Sequence, residues 1–250
     1  MEIRFWVKCI GQLSATTLVP GQTATPRTAR ASTANLCYHV LNRGNHRASV
    51  FHKDGDFDAF VDLLAEAKLR NPMRILAYCV LSNHFHLALW PLGDGDLGRW
   101  MHWLLTAHVR RYQRHYHSTG HVWQGRFKAF PIQEDEHLLV VLRYIERNPL
   151  RAGLVERAER WPWSSLGAIA CGRAEPLLNP GPIPRGQGWV EAVNAPMFES
   201  EVQAIRRCVQ RNAPFGTEPW VLKAATTLGL ESALRARGNP RLTGDRASDA

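Results

Sequence analysis

The sequence predicts an α+β fold in which an antiparallel sheet carries helices on its faces and a basic helical extension follows. Two observations predict it. Extended and amphipathic stretches succeed one another as strand, helix, strand, strand, helix, strand, helix. That order belongs to the split βαβ or ferredoxin-like class. The chain has 250 residues, 45% hydrophobic, with nine Trp, which is enough for one sizeable core. No apolar run approaches the ~20 residues that span a bilayer, so no membrane partner is expected, and no internal repeat is visible.

Residues 1–35 are rich in Thr, Ala, Ser and Pro and are expected to be poorly ordered. Arg4 and Lys8 precede no apolar stretch long enough for a signal peptide. Tyr38 to Arg43 reads as a short strand, ended by a turn at Gly44-Asn45-His46. Asp56 to Leu69 reads as a helix, with Phe57, Phe60, Leu63, Leu64 and Ala67 on one face and Asp54, Asp56 and Asp58 favouring its N-terminal dipole. Ile75 to Trp90, bounded by Asn71-Pro72 and Pro91, reads as a strand pair turning at Ser82-Asn83. A helix follows from Leu97 to Tyr116. Gly120 to Ile132 alternates Arg126 and Lys128 with Phe127 and Phe130, as a strand or loop with a basic edge. Glu134 to Arg147 reads as a strong helix closed by Pro149. Leu166 to Val190, rich in Pro and Gly, reads as a linker; Glu199 to Arg211 and Trp220 to Leu228 read as helices, and Leu234 to Arg241 as a basic tail.

The net charge of +9 points to a polyanionic partner, nucleic acid first. The five Cys are odd in number and scattered, with no CxxC pair, which argues against a zinc ribbon or a disulfide framework and fits a reducing cytoplasm.

The chemistry gathers at His84-Phe85-His86. In a strand, side chains at i and i+2 emerge on one face about 7 Å apart, so both imidazoles lean toward one metal ion while Phe85 points into the core. A solvated polar face is the plain alternative. His115-Tyr116-His117 repeats the spacing, but on a helix, where i and i+2 diverge. On the helix from Glu134, the core stripe is Leu138, Leu142 and Ile145, and Tyr144 and Asn148 lie four apart on its flank. Tyr at such a border is ordinarily amphipathic packing; the functional reading makes Tyr144 a nucleophile and Asn148 an oxygen ligand beside the two His. A phenol of pKa ~10 needs assistance to attack at neutral pH. A metal held by two imidazoles and an amide leaves positions at which a phosphate can be polarised.

His84-Phe-His86, then Tyr144-Ile-Glu-Arg-Asn-Pro-Leu-Arg-Ala-Gly-Leu-Val155 and Trp161-Pro-Trp-Ser-Ser165, resemble the single-tyrosine HUH transposases, and more narrowly the REP-associated tyrosine transposases. Tyr38-His-Val, Arg43-Gly-Asn45 and Trp123-Gln-Gly-Arg-Phe127 extend the likeness, which covers about residues 38–165. The resemblance implies a catalytic domain over 36–165; composition and periodicity read 166–198 as a linker or irregular segment and 199–250 as a basic helical extension. It also implies a Mg²⁺ or Mn²⁺ ion on His84, His86 and Asn148, a 5′-phosphotyrosine on Tyr144, and single-stranded or hairpin DNA as partner. The acting species is a monomer or a homodimer. Arg126, Lys128, Arg143, Arg147 and Arg151 are candidate phosphate contacts, with solvated helix faces as the alternative. Trp123, Trp161 and Trp163 are either platforms for unpaired bases or anchors of the core. Two rivals stay open: a binding module that never cuts nucleic acid, and a hydrolase in which metal-activated water attacks.

Overall fold

The structure, a computed structural model, describes residues 32–173 and 176–235. The expected disorder of the N-terminal stretch, apart from its last residues, and the basic tail beyond Arg235 lie outside the described residues. Four strands form one antiparallel sheet in the order β2-β3-β1-β4: β1 (Cys37–Arg43), β2 (Met73–Leu81), β3 (His84–Pro91) and β4 (Lys128–Ile132). Helix α1 (Asp54–Arg70) joins β1 to β2 and α2 (Asp96–Tyr116) joins β3 to β4. Each crossover thus skips a strand that the other unit inserts, which is the predicted split βαβ arrangement.

Side chains alternate across this sheet, and each face has its own core. Tyr38, Val40, Phe85, Leu87 and Leu89 point to the side covered by α1 and α2, where Phe60, Leu64, Trp100 and Leu104 are buried against them. Cys37, Cys79, Ala88, Phe130 and Ile132 point to the opposite side, against Leu138, Val141, Leu142 and Ile145 of α3 (Glu136–Glu146). Phe85 therefore anchors in one core while its neighbours His84 and His86 face the other side, as the pattern predicts.

Two boundaries differ from the sequence expectation. Pro149 does not stop the helical path: Arg147 keeps helical angles, and α4 (Asn148–Arg151) follows with Pro149 in its first turn, where the missing N–H costs nothing. The supposed linker 166–198 contains α5 (Ser165–Ala170) and α6 (Trp189–Asn194), both with buried residues. Helix α7 (Glu199–Arg211) has the predicted bounds, and α8 (Glu218–Leu228) starts a turn's fraction before Trp220; α9 (Glu231–Leu234) closes the described chain. Among the described residues no helix is long and apolar enough to cross a membrane.

Candidate functional site

The site lies on the α3 side of the sheet, near the end of β3 that follows the Ser82-Asn83 turn. Register assembles it. His84 pairs with Arg43 and His86 with Leu41 across β1 and β3, so Leu41 and Arg43 share the histidines' face, and so does His39 two residues earlier. The rings of His84 and His86 stand 5.1 Å apart, centroid to centroid. Helix α3 crosses above them and sets the Tyr144 ring edge-on to His86 at 5.9 Å and to His39 at 6.1 Å. Asp135 starts α3 by accepting a hydrogen bond from the His137 backbone N–H, and the Leu138, Val141, Leu142, Ile145 stripe fixes its rotation. Tyr144 is itself 5% exposed.

Each imidazole has one nitrogen engaged within the protein. Asn83 donates its Nδ2 to the Arg47 carbonyl at 2.9 Å, which turns its Oδ1 toward His84 Nδ1 at 2.6 Å. A carbonyl oxygen only accepts, so His84 carries its proton on Nδ1 and keeps the Nε2 lone pair. His86 Nδ1 lies 2.8 Å from His39 Nε2. Burial holds His84 down at a pKa of about 4, with Arg43 and Arg151 adding to the effect, and lowers His86 further. Both are neutral at pH 7, the state a metal ligand needs.

Asn148 is 1% exposed. Its Nδ2 donates to the Tyr144 carbonyl at 2.8 Å, and its Oδ1 accepts from Arg151 Nη2 at 2.6 Å. The same guanidinium sits 5.3 Å from the centre of the Tyr144 ring. Two imine nitrogens and an amide oxygen beside a tyrosine suit a Mg²⁺ or Mn²⁺ ion that keeps open positions, so the residues present fit the group that the resemblance implies.

The remaining predicted residues divide. Lys128 pairs with Leu41 on β4 and is exposed on the site's face; Arg126 is exposed and lines a cleft of about 640 Å³ with His102, Arg110 and Phe127. Arg143 and Arg147, expected at phosphates, instead donate to backbone carbonyls at the end of α6: Arg143 Nη2 to Ala195 and Pro196, both at 2.9 Å, and Arg147 Nη1 to Val193 at 2.8 Å and to Asn194. Trp163 stacks on Phe57 at 4.3 Å and donates its Nε1 to Asp58; Trp161 donates to the Val80 carbonyl. Trp123 is 5% exposed in the α1/α2 core. The sequence reading missed His39, Asn83 and Arg43. Strand alternation counted from Leu41 would have placed two of them on the site's face, but only the register reveals what they face.

Residues 32–148 match the family described as IS200-like transposases. A Haemophilus influenzae protein named as a candidate REP-associated tyrosine transposase is 31% identical over 106 residues, and the REP-associated tyrosine transposase of Escherichia coli is 28% identical over 129. The matches cover 38% and 52% of this chain, and the chain spans 60% and 74% of those relatives' lengths. A solved REP-associated tyrosine transposase bound to a REP hairpin aligns with 65% of this chain and 95% of its own, at 20% identity and a TM-score of 0.47. Over residues 32–148 the chain is similar to the IS200-like transposases. Within that class, it is the REP-associated tyrosine transposases that it resembles.

Proposed function

We propose that this protein is a metal-dependent endonuclease and strand transferase that cuts and rejoins single-stranded DNA near hairpins through a 5′-phosphotyrosine on Tyr144. The observation that carries this reading is the placement of Tyr144 against His86 at 5.9 Å, on a helix fixed over the two neutral histidines. A Mg²⁺ or Mn²⁺ ion on His84 Nε2, His86 Nε2 and Asn148 Oδ1 supplies, when bound, polarisation of the scissile phosphate. Tyr144 Oη forms the new bond to phosphorus as the bond to the 3′ oxygen breaks; the phenol proton is lost and the departing oxygen gains one. The phosphodiester energy stays in the adduct, so attack by a 3′-hydroxyl rejoins the strand without ATP. Arg151, against both the Tyr144 ring and Asn148, and Arg43, opposite His84, are the cations placed to steady the phosphate. Lys128 and Arg126 contact the neighbouring backbone, whereas Arg143 and Arg147 serve the site by holding the Tyr144 helix.

Labelled single-stranded hairpins incubated with Mn²⁺ and resolved on denaturing gels test the reading. A slow-migrating covalent adduct is expected, lost in Tyr144→Phe. Salt-sensitive binding without any adduct would instead mark a nucleic-acid-binding module. Cleavage persisting in Tyr144→Phe would assign the attack to water.

A further inference from the structure

We propose that His39 is a positioning residue for the metal site: it accepts a hydrogen bond from His86 Nδ1–H, and so keeps the Nε2 lone pair of His86 directed at the ion. The inference rests on the metal reading above and adds a residue to it. The two candidate ligands are oriented differently. His84 is fixed by an amide whose own orientation is set by the Arg47 carbonyl, so only one tautomer fits. His86 has another imidazole in that place. Its Nδ1 lies 2.8 Å from His39 Nε2, and the rings stack with centroids 5.0 Å apart and planes 14° from parallel.

An imidazole pair can share its proton in two ways. If His39 donates, the proton of His86 sits on Nε2 and blocks the position facing the site. If His86 donates, Nε2 is a free donor to metal. Only the second arrangement is compatible with a ligand, so a cation at the site selects it. Accepting at Nε2 puts the proton of His39 on Nδ1, which has no partner among the described residues, in a ring that is 0% exposed. An unpaired polar atom in a core costs stability, and an apolar side chain between Phe130 and Tyr144 would avoid that cost. The imidazole therefore has a reason beyond packing. Metal-ligating histidines commonly donate their second N–H to a carboxylate or carbonyl; here a neutral imidazole takes that part, in a site already flanked by Arg43 and Arg151.

The test is a titration of full-length protein with Mn²⁺, following free ion by electron paramagnetic resonance, in wild type, His39→Phe and His39→Gln. Gln retains an acceptor oxygen; Phe keeps a ring without one. His39→Phe is expected to bind Mn²⁺ roughly 10- to 100-fold more weakly, with His39→Gln within about threefold of wild type on the same scale. Equal affinity in wild type and His39→Phe would overturn the proposal, as would equal loss in both variants, which marks packing alone. Absence of Mn²⁺ binding by wild type would instead remove the metal reading on which it stands. Should His39→Phe not fold, ¹⁵N spectra of the wild-type histidines at saturating Mg²⁺ decide: His86 protonated at Nδ1 supports the assignment, and protonation at Nε2 overturns it.

Discussion

At the scale of single residues, the candidate site joins side chains that are related along the chain to others that are related only across the sheet. His84 and His86 are ligand-like because they are two apart on a strand, and Tyr144 and Asn148 are paired because they are four apart on a helix. His39 and Arg43 acquire their place only through strand pairing, which no local spacing encodes. His108, on α2, is another histidine whose surroundings come from packing rather than from local spacing. It is 5% exposed among Phe51, Phe60 and Trp123, and burial lowers its pKa from 6.5 to about 4, with Asp56 opposing and Arg111 reinforcing the shift. The folded state holds His108 neutral while the unfolded chain protonates near pH 6.5. Stability from this group is therefore complete above pH 6.5 and is lost as pH falls toward 4. Urea denaturation at pH 7.5 and pH 5 should show a drop on acidification that is smaller, by on the order of 2 kcal/mol, in His108→Gln. An identical drop in both proteins would refute the assignment.

At the scale of elements, the helix that carries Tyr144 is held from two sides. Its inner stripe was plain from periodicity. Its outer grip was not, because the partners are short helices and irregular chain whose composition suggested a linker. Glu146, 0% exposed, accepts from Ser165 Oγ at 2.7 Å, Arg185 Nη2 at 3.1 Å and Trp189 Nε1 at 2.6 Å. With Arg143 and Arg147 reaching the end of α6, three residues around Tyr144 bind the following segment to α3. Nearby, Gly167 lets α5 approach, since a Cβ there would lie 2.1 Å from the Trp161 carbonyl. The buried carboxylate makes this grip testable. Arg185→Ala leaves Glu146 charged and under-compensated, and is expected to destabilise by about 3 kcal/mol. Glu146→Gln combined with Arg185→Met should cost less than Arg185→Ala alone, because no buried charge remains. Chemical denaturation of the three variants checks this, and a double variant as weak as the single one would show that the ion pair is not the source. On the proposed function, the yield of covalent adduct should fall alongside stability in Arg185→Ala, since the helix presenting Tyr144 loses its outer support.

At the scale of the whole molecule, both edges of the sheet are occupied by segments outside its four strands. The strands of the sheet were legible because they alternate and end in turns; the segments that shield them make only one or two ladder contacts each. Beside β2, Val80 N–H donates to the Trp163 carbonyl at 2.9 Å, and Ser164 bridges to Cys79, so the Trp-Pro-Trp-Ser-Ser run covers that edge. Beside β4, Phe215 donates its N–H to the Pro131 carbonyl and its own carbonyl accepts from Gln133 N–H, both at 2.9 Å, while Val202 and Ile205 of α7 pack on the same core as Phe130 and Ile132. An uncovered edge of this kind pairs with other chains. Ending the chain after residue 198 removes α7 and Phe215 together, exposing both the β4 ladder and the apolar surface beneath α7. The truncated protein is expected to melt several degrees lower, since about 1 kcal/mol moves Tm by roughly 2–4 °C at this size. It should also associate in a concentration-dependent manner that the full chain does not show. Thermal melts and light scattering across a dilution series read both effects. Phe215→Pro separates them, because it deletes the edge N–H but leaves α7 in place: association without a large loss of Tm would locate the protection in the ladder, and a truncated protein as stable and as dispersed as the full chain would refute the role of the extension as an edge cover.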